Sequence, residues 1–126
     1  MVAPTTTATR LESIVNLSKG FVYVVSMTGV TGSALVVGQE LLDTIANVKR
    51  ISSLPVAVGF GVSSPDQAAS LSEVADGVIV GSALIKKCLD APDYDLAIDD
   101  VGAFSRGIMK RLGKNGSNLQ RKVRQC

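Results

Sequence analysis

The chain has 126 residues, 46 % of them hydrophobic and 19 % charged, with a net charge of +2 and no histidine. That suffices for one domain with a buried core, and it is about half of the roughly 250 residues of a closed (β/α)8 barrel. No apolar run is long enough to cross a bilayer as a helix. Met1-Val2-Ala3-Pro4 has neither the charged nor the apolar region of a secretory signal, and Cys88 and Cys126 form no metal spacing and no disulfide framework.

In chain order, Val2-Ala3 reads as the end of a strand. Thr9-Arg10-Leu11-Glu12 fits a capping box opening a helix, with Leu11, Ile14 and Val15 on one face and Lys19-Gly20 as its stop. Phe21 to Ser26 is an apolar strand, followed by the glycine loop Gly29-Val30-Thr31-Gly32. Leu41, Leu42, Ile45 and Val48 line a second helix, closed by Lys49-Arg50. Leu54-Pro55 opens a second strand that ends at Gly59-Phe60-Gly61. Ser63-Ser64-Pro65-Asp66 then starts a helix with a capping serine, a proline in the first turn and an acid at the positive end of the dipole. Asp76-Gly77 turns into a third strand, Val78-Ile79-Val80, and Gly81-Ser82-Ala83 begins a short helix to about Cys88, whose thiol is expected to be packed. After the loop at Ala91-Pro92, Val101, Phe104, Ile108 and Leu112 line a last amphipathic helix that Gly113-Lys114-Asn115-Gly116-Ser117 should end. Residues 113–126 read as a basic, disordered tail.

From Val101 onward no residue is acidic, and Arg106, Lys110, Arg111, Lys114, Arg121, Lys122 and Arg124 are seven of the 13 basic residues. The run lacks interleaved aromatics. It therefore reads as a solvated helix face and a frayed tail, and no nucleic-acid or membrane partner is expected.

Strand–helix alternation at this spacing predicts parallel strands with right-handed crossovers. Three strand ends carry glycine, which lets a ligand approach the backbone while the next helix offers its free N–H groups to an anion. Gly81 and Ser82 carry this signal most strongly, since the glycine removes a Cβ and the serine adds an N–H and a hydroxyl. The bland alternative is a tight turn with a capping serine. Gly61 is a second phosphate donor. Gly32 and Thr31 belong to a loop that is either a lid or an ordinary surface loop. Tyr23 and Phe60 are equally apt for an aromatic ligand and for core filling. Asp66, Glu73, Asp76, Asp95, Asp99 and Asp100 read as caps, loops or solvent faces, so the chain holds a binding half without a proton-transfer half and no catalytic residue is expected in it.

These stretches resemble the C-terminal part of the tryptophan synthase alpha chain family. The resemblance runs through Val2-Ala3-Pro4-Thr5-Thr6, Gly20 to Ser26 with the Gly29–Gly32 loop, Pro55 to Pro65, and Ala75 to Ala83, over roughly residues 2 to 112. It implies a partial (β/α)8 TIM barrel of the α/β class, comprising about the last three βα units plus the end of the fifth strand. It also implies a lyase that splits indole-3-glycerol phosphate to indole and glyceraldehyde 3-phosphate in tryptophan biosynthesis. The implied phosphate ligands are Gly32, Gly61, Gly81 and Ser82, the indole-side residues are Tyr23, Phe60 and Val62, and Thr31 lies in the lid. The catalytic aspartate and glutamate belong to earlier strands. The implied partner is the tryptophan synthase beta chain, which alone carries pyridoxal phosphate, and the implied compartment is the cytoplasm or the plastid stroma. The rival expectation is a non-catalytic phosphate-binding half-barrel that pairs with another chain. Open strand edges also predict self-association.

Overall fold

Two parallel ladders organise the molecule. The computed structural model describes residues 1–26, 37–59 and 61–123, the last stretch by backbone alone from residue 114. Strands β1 (Val22–Val25), β2 (Val56–Gly59) and β3 (Gly77–Ile79) lie side by side in that order. Val22 pairs with Val56 and Val25 with Gly59, then Ala57 with Gly77 and Gly59 with Ile79. Val2 adds a parallel bridge on the outer side of β1: its N–H donates to the Tyr23 carbonyl and its own carbonyl accepts from Val25, each at 2.8 Å. The strand end expected at Val2 is therefore present as an isolated parallel bridge to Val24.

Helices α1 (Ala8–Leu17), α2 (Gln39–Ile51), α3 (Pro65–Ser72), α4 (Ser82–Asp90) and α5 (Tyr94–Val123) fill the connections. Strand side chains alternate between faces. Val22, Val24, Val56 and Val58 are buried with Leu11, Val15, Leu41, Ile45, Val48, Ala68 and Leu71 in one core. Their alternates Tyr23, Val25, Ala57 and Ile79 are only half-buried. One face of the sheet is thus sealed by helices and the other is not.

Local chemistry explains most helix starts. Ser64 caps α3 by accepting from the Gln67 N–H at 3.2 Å, Pro65 occupies the first turn, and Gln67 Oε1 accepts in return from the Ser63 N–H at 2.7 Å. Asp93 Oδ1 accepts from the Leu96 N–H at the start of α5, at 2.9 Å. The capping box expected at Thr9 does not form. A tight turn, with the Thr6 N–H donating to the Ala3 carbonyl and the Ala3 N–H to Thr6 Oγ1, delivers the chain into helix at Thr7. Leu11 N–H already bonds the Thr7 carbonyl, so Thr9 has helical backbone and lacks the extended geometry a cap needs.

Two further expectations are corrected. Helix α5 runs through the Gly113–Ser117 segment to Val123. A glycine within a helix costs only about 1 kcal/mol relative to alanine, and no proline follows to break it. Cys88 is exposed rather than packed. Helix α4 packs mainly against α5 and buries no side chain, and Ile85, Cys88 and Leu89 are exposed.

Candidate functional site

The parallel register puts the C-terminal ends of the strands on one edge. Gly61 and Gly81 each lie two residues past the Gly59–Ile79 pair, beyond the C-terminal ends of neighbouring strands. Gly61 has φ +73°, a backbone that strongly favours glycine, and both glycines are exposed. A Cβ added at either one would meet nothing within 4 Å, so open space lies over both. Gly81 precedes α4, accepting the first helical bonds from the Leu84 N–H at 2.9 Å and the Ile85 N–H at 3.2 Å. Ser82 is the first residue of that helix and is exposed, where backbone N–H groups have no partner in the helix ladder. The arrangement offers N–H donors, a hydroxyl and a helix N-terminus to one anion.

Ser26 holds this edge together. It is 2 % exposed, and both its N–H, at 3.0 Å, and its hydroxyl, at 3.3 Å, donate to the Gly59 carbonyl. Gly59 is itself enclosed: a Cβ there would stand 2.8 Å from the Ile79 Cβ and 2.9 Å from the Tyr23 ring and hydroxyl. Tyr23 thus lies across the Gly59 backbone as a floor beneath the strand ends.

The opposite, N-terminal edge is closed by an acid. Asp76 donates its N–H to the Val56 carbonyl and accepts the Val56 N–H on Oδ2, both at 2.9 Å, while Lys49 sits 3.3 Å from Oδ1. Two other described ion pairs lie on helices: Asp66 with Arg111 and Asp90 with Lys86. The hydrogen bond and charge of Asp90 raise the Lys86 amine above its ordinary value.

The family model of the tryptophan synthase alpha chain matches residues 1–110. The chain belongs to that family. Solved structures agree. A structure of Mycobacterium tuberculosis tryptophan synthase is 39 % identical, with a TM-score of 0.72 over 87 % of this chain and 39 % of that one. A mutant tryptophan synthase alpha-subunit from the hyperthermophile Pyrococcus furiosus is 35 % identical, with a TM-score of 0.69 over 86 % and 43 %. The alpha subunit from Campylobacter jejuni is 33 % identical, with a TM-score of 0.66 over 79 % and 40 %. The chain therefore spans about two-fifths of these relatives' length, and its three-stranded parallel sheet with its helices is a partial TIM barrel. The glycine-bearing strand ends lie on the C-terminal face, where such barrels carry their sites.

Of the residues singled out from sequence, the structure brings Gly61, Gly81 and Ser82 to one edge, with Tyr23 beside it. Val62 is 3 % exposed and belongs to the core. Gly32, Thr31 and Phe60 lie outside the described residues. Among the described residues no group of histidines, cysteines and acids is arranged to hold a metal, and no helix is long and apolar enough to cross a membrane. Sequence reasoning missed Ser26 and Gly59. Their partners are 33 residues and a whole strand away, and a glycine ending an apolar run was the only signal available.

Proposed function

We propose that this chain supplies the phosphate-anchoring part of a site for indole-3-glycerol phosphate, the substrate of the tryptophan synthase alpha reaction. The observation that carries the reading is that Gly61 and Gly81 follow neighbouring strand ends under open space, with Gly81 opening α4. The N–H groups of Gly61 and Ser82 and the Ser82 hydroxyl would hold the phosphate, with Gly32 closing from the preceding loop and Thr31 within that loop. Tyr23 and Phe60 would flank the indole, with Val62 backing them from the core.

Cleavage of the carbon–carbon bond needs a proton donor and a base in reach of the substrate. Asp66, Asp76 and Asp90 are engaged in ion pairs, and the carboxylates that do this work would come from the strands that complete the barrel. The reaction itself would need no cofactor from this chain. The beta chain, which would take up the indole, is the partner this reading implies.

The test is binding of glycerol 3-phosphate to the 126-residue chain, followed by amide NMR, against a Gly81→Val variant. Val at this open position should fold normally and occupy the anion's space. Shifts at Gly61, Gly81 and Ser82 in the parent, lost in the variant, are expected; equal binding by both would refute the cradle.

A further inference from the structure

Gly61 solves one problem of an anion site and creates another. Without a Cβ it leaves the space over it clear, and its φ of +73° is a backbone that glycine adopts freely. The same freedom means that nothing in the residue itself fixes the direction of its N–H. A donor that is mobile before binding must be ordered on binding, and affinity falls accordingly. The neighbouring residues have to hold it.

They do so from both sides. Two residues before Gly61, the enclosed Gly59 carbonyl accepts the Ser26 N–H and hydroxyl, as part of the β1–β2 edge. Two residues after it, the Ser63 N–H and hydroxyl both donate to Gln67 Oε1, at 2.7 and 3.0 Å. The Val62 side chain, next to Gly61, is sunk in the core. The upstream tie belongs to the sheet, whereas the downstream tie rests on one side-chain oxygen.

Gln67 is well placed to act as an anchor. Its own N–H donates to Ser64 Oγ at 3.2 Å, and Ala68 and Leu71 of the same helix are fully buried. Asp66 beside it pairs with Arg111 of α5. In a capping box the side chain at this helix position accepts from the N–H of the cap residue itself. Here the cap is Ser64, and Gln67 reaches past it to Ser63, one residue closer to Gly61. The cap of α3 needs only the Ser64 hydroxyl, so the bonds to Ser63 act on the segment that leads back to Gly61.

We propose that Gln67 is a positioning residue for the strand-end anion site: by holding Ser63 it presets the Gly61 N–H toward the phosphate. The proposal rests on the reading of Gly61, Gly81 and Ser82 as the phosphate anchor. Gln67 acts through Gly61 and not by touching the ligand. A donor fixed in advance by a packed helix is how a site keeps its geometry without help from the ligand.

The test compares Gln67→Met with Ser64→Ala in the full chain. Gln67→Met removes the acceptor and keeps an unbranched side chain of good helix propensity. Ser64→Ala removes the cap of α3 and leaves the Ser63–Gln67 tie in place. Urea unfolding, titration with glycerol 3-phosphate and the heteronuclear NOE of the Gly61 amide are measured on each. Gln67→Met should weaken glycerol 3-phosphate binding about three- to tenfold, the scale of one or two neutral hydrogen bonds. It should also lower the Gly61 NOE of the free chain, the sign of a looser backbone. Ser64→Ala should destabilise the chain yet leave the affinity and the NOE unchanged. Equal weakening of binding by the two variants would mean that Gln67 acts only through the stability of α3, and would overturn the proposal. Binding that is lost in Gly81→Val but intact in Gln67→Met would overturn the positioning role and leave the anchor standing. Binding equal in the parent and in Gly81→Val would overturn the anchor and this inference with it.

Discussion

Replacing Gly59 with alanine tests how the strand-end edge is built. The new Cβ would stand 2.8 Å from the Ile79 Cβ and 2.9 Å from the Tyr23 ring and hydroxyl, closer than real Cβ contacts come. The two neighbours differ in how far they yield. Tyr23 is half-buried on the open face of the sheet, so its ring can swing. The Ile79 Cβ is fixed to β3, which is paired to Gly59 itself, and moves only if the ladder opens. Overpacking of this kind costs about 1–3 kcal/mol. Alanine returns about 0.5–1 kcal/mol, because glycine loses more backbone freedom in a strand. A net loss of about 1–2 kcal/mol is expected.

The assay is urea unfolding of the chain followed by circular dichroism, run on the parent, Gly59→Ala, Tyr23→Val and the double variant. Removing the ring relieves only the tyrosine part of the clash. The double variant should therefore lose less than the sum of the singles, with a coupling of about 0.5–1 kcal/mol, at the low end of what contacting residues show. Gly59→Ala at or above parental stability would refute the packing argument. Strict additivity would mean that Tyr23 does not lie on Gly59.

Four further outcomes follow from the same geometry. Gly61→Ala, at φ +73°, should cost about 1–2 kcal/mol in the same unfolding assay, although open space surrounds the position, because the cost is backbone strain. Asp76→Ala should cost about 1–3 kcal/mol by leaving the Val56 N–H without its acceptor, yet leave glycerol phosphate binding unchanged, since it acts at the opposite edge. The 126-residue chain should release no indole from indole-3-glycerol phosphate above the uncatalysed background, as measured by indole colorimetry; general acid–base help alone is worth about 10²–10⁴ in rate. The Lys86 amine is raised by Asp90, so its contribution is complete below the ordinary value of 10.5 and lost as pH climbs through the raised one. Any melting-temperature difference between parent and Lys86→Met should therefore be constant through neutral pH and shrink only above 10.5.

The elements legible in the sequence are those that punctuation and periodicity define locally. Ser64-Pro65 starts α3 as the residue types require, and Gly20, at φ +80°, follows the end of α1. The valine runs Val22–Val25 and Val56–Val58 became neighbouring parallel strands, because runs of β-branched residues need cover. What was not legible depends on chain segments meeting. Asp76 looks like a turn residue, and only the approach of Val56, 20 residues earlier, makes it a clamp. The start of α1 reads from sequence as a capping box at Thr9, and the Ala3–Thr6 turn puts the cap at Thr7 instead. The exposure of Cys88 follows from what packs on α4, which the sequence of α4 itself does not encode. At the site, glycine-bearing strand ends suggest an anion, but that the ends before Gly61 and Gly81 are neighbours, with Gly59 paired to Ile79, is a property of the register.

The described acids show how work is divided across the sheet. Asp76 ties β2 to the turn before β3 at the N-terminal edge, Asp66 and Asp90 pair with Arg111 and Lys86 on helices, Asp93 caps α5, and Asp43 accepts from Gln39 along α2. Each holds structure. At the C-terminal edge the described polar groups include backbone N–H groups and the hydroxyls of Tyr23, Ser26 and Ser82. Such an edge attracts negative charge. On the proposed reading, anchoring and proton transfer are therefore supplied by different arcs of the barrel. An anchor made of backbone N–H groups next to a helix terminus gains from that separation. A carboxylate placed at Gly61 or Gly81 would repel the phosphate at contact distance, where the attraction of a helix end is worth only about 0.3–1 kcal/mol. Glycine at both positions keeps the anion's space clear of side chains and of negative charge alike.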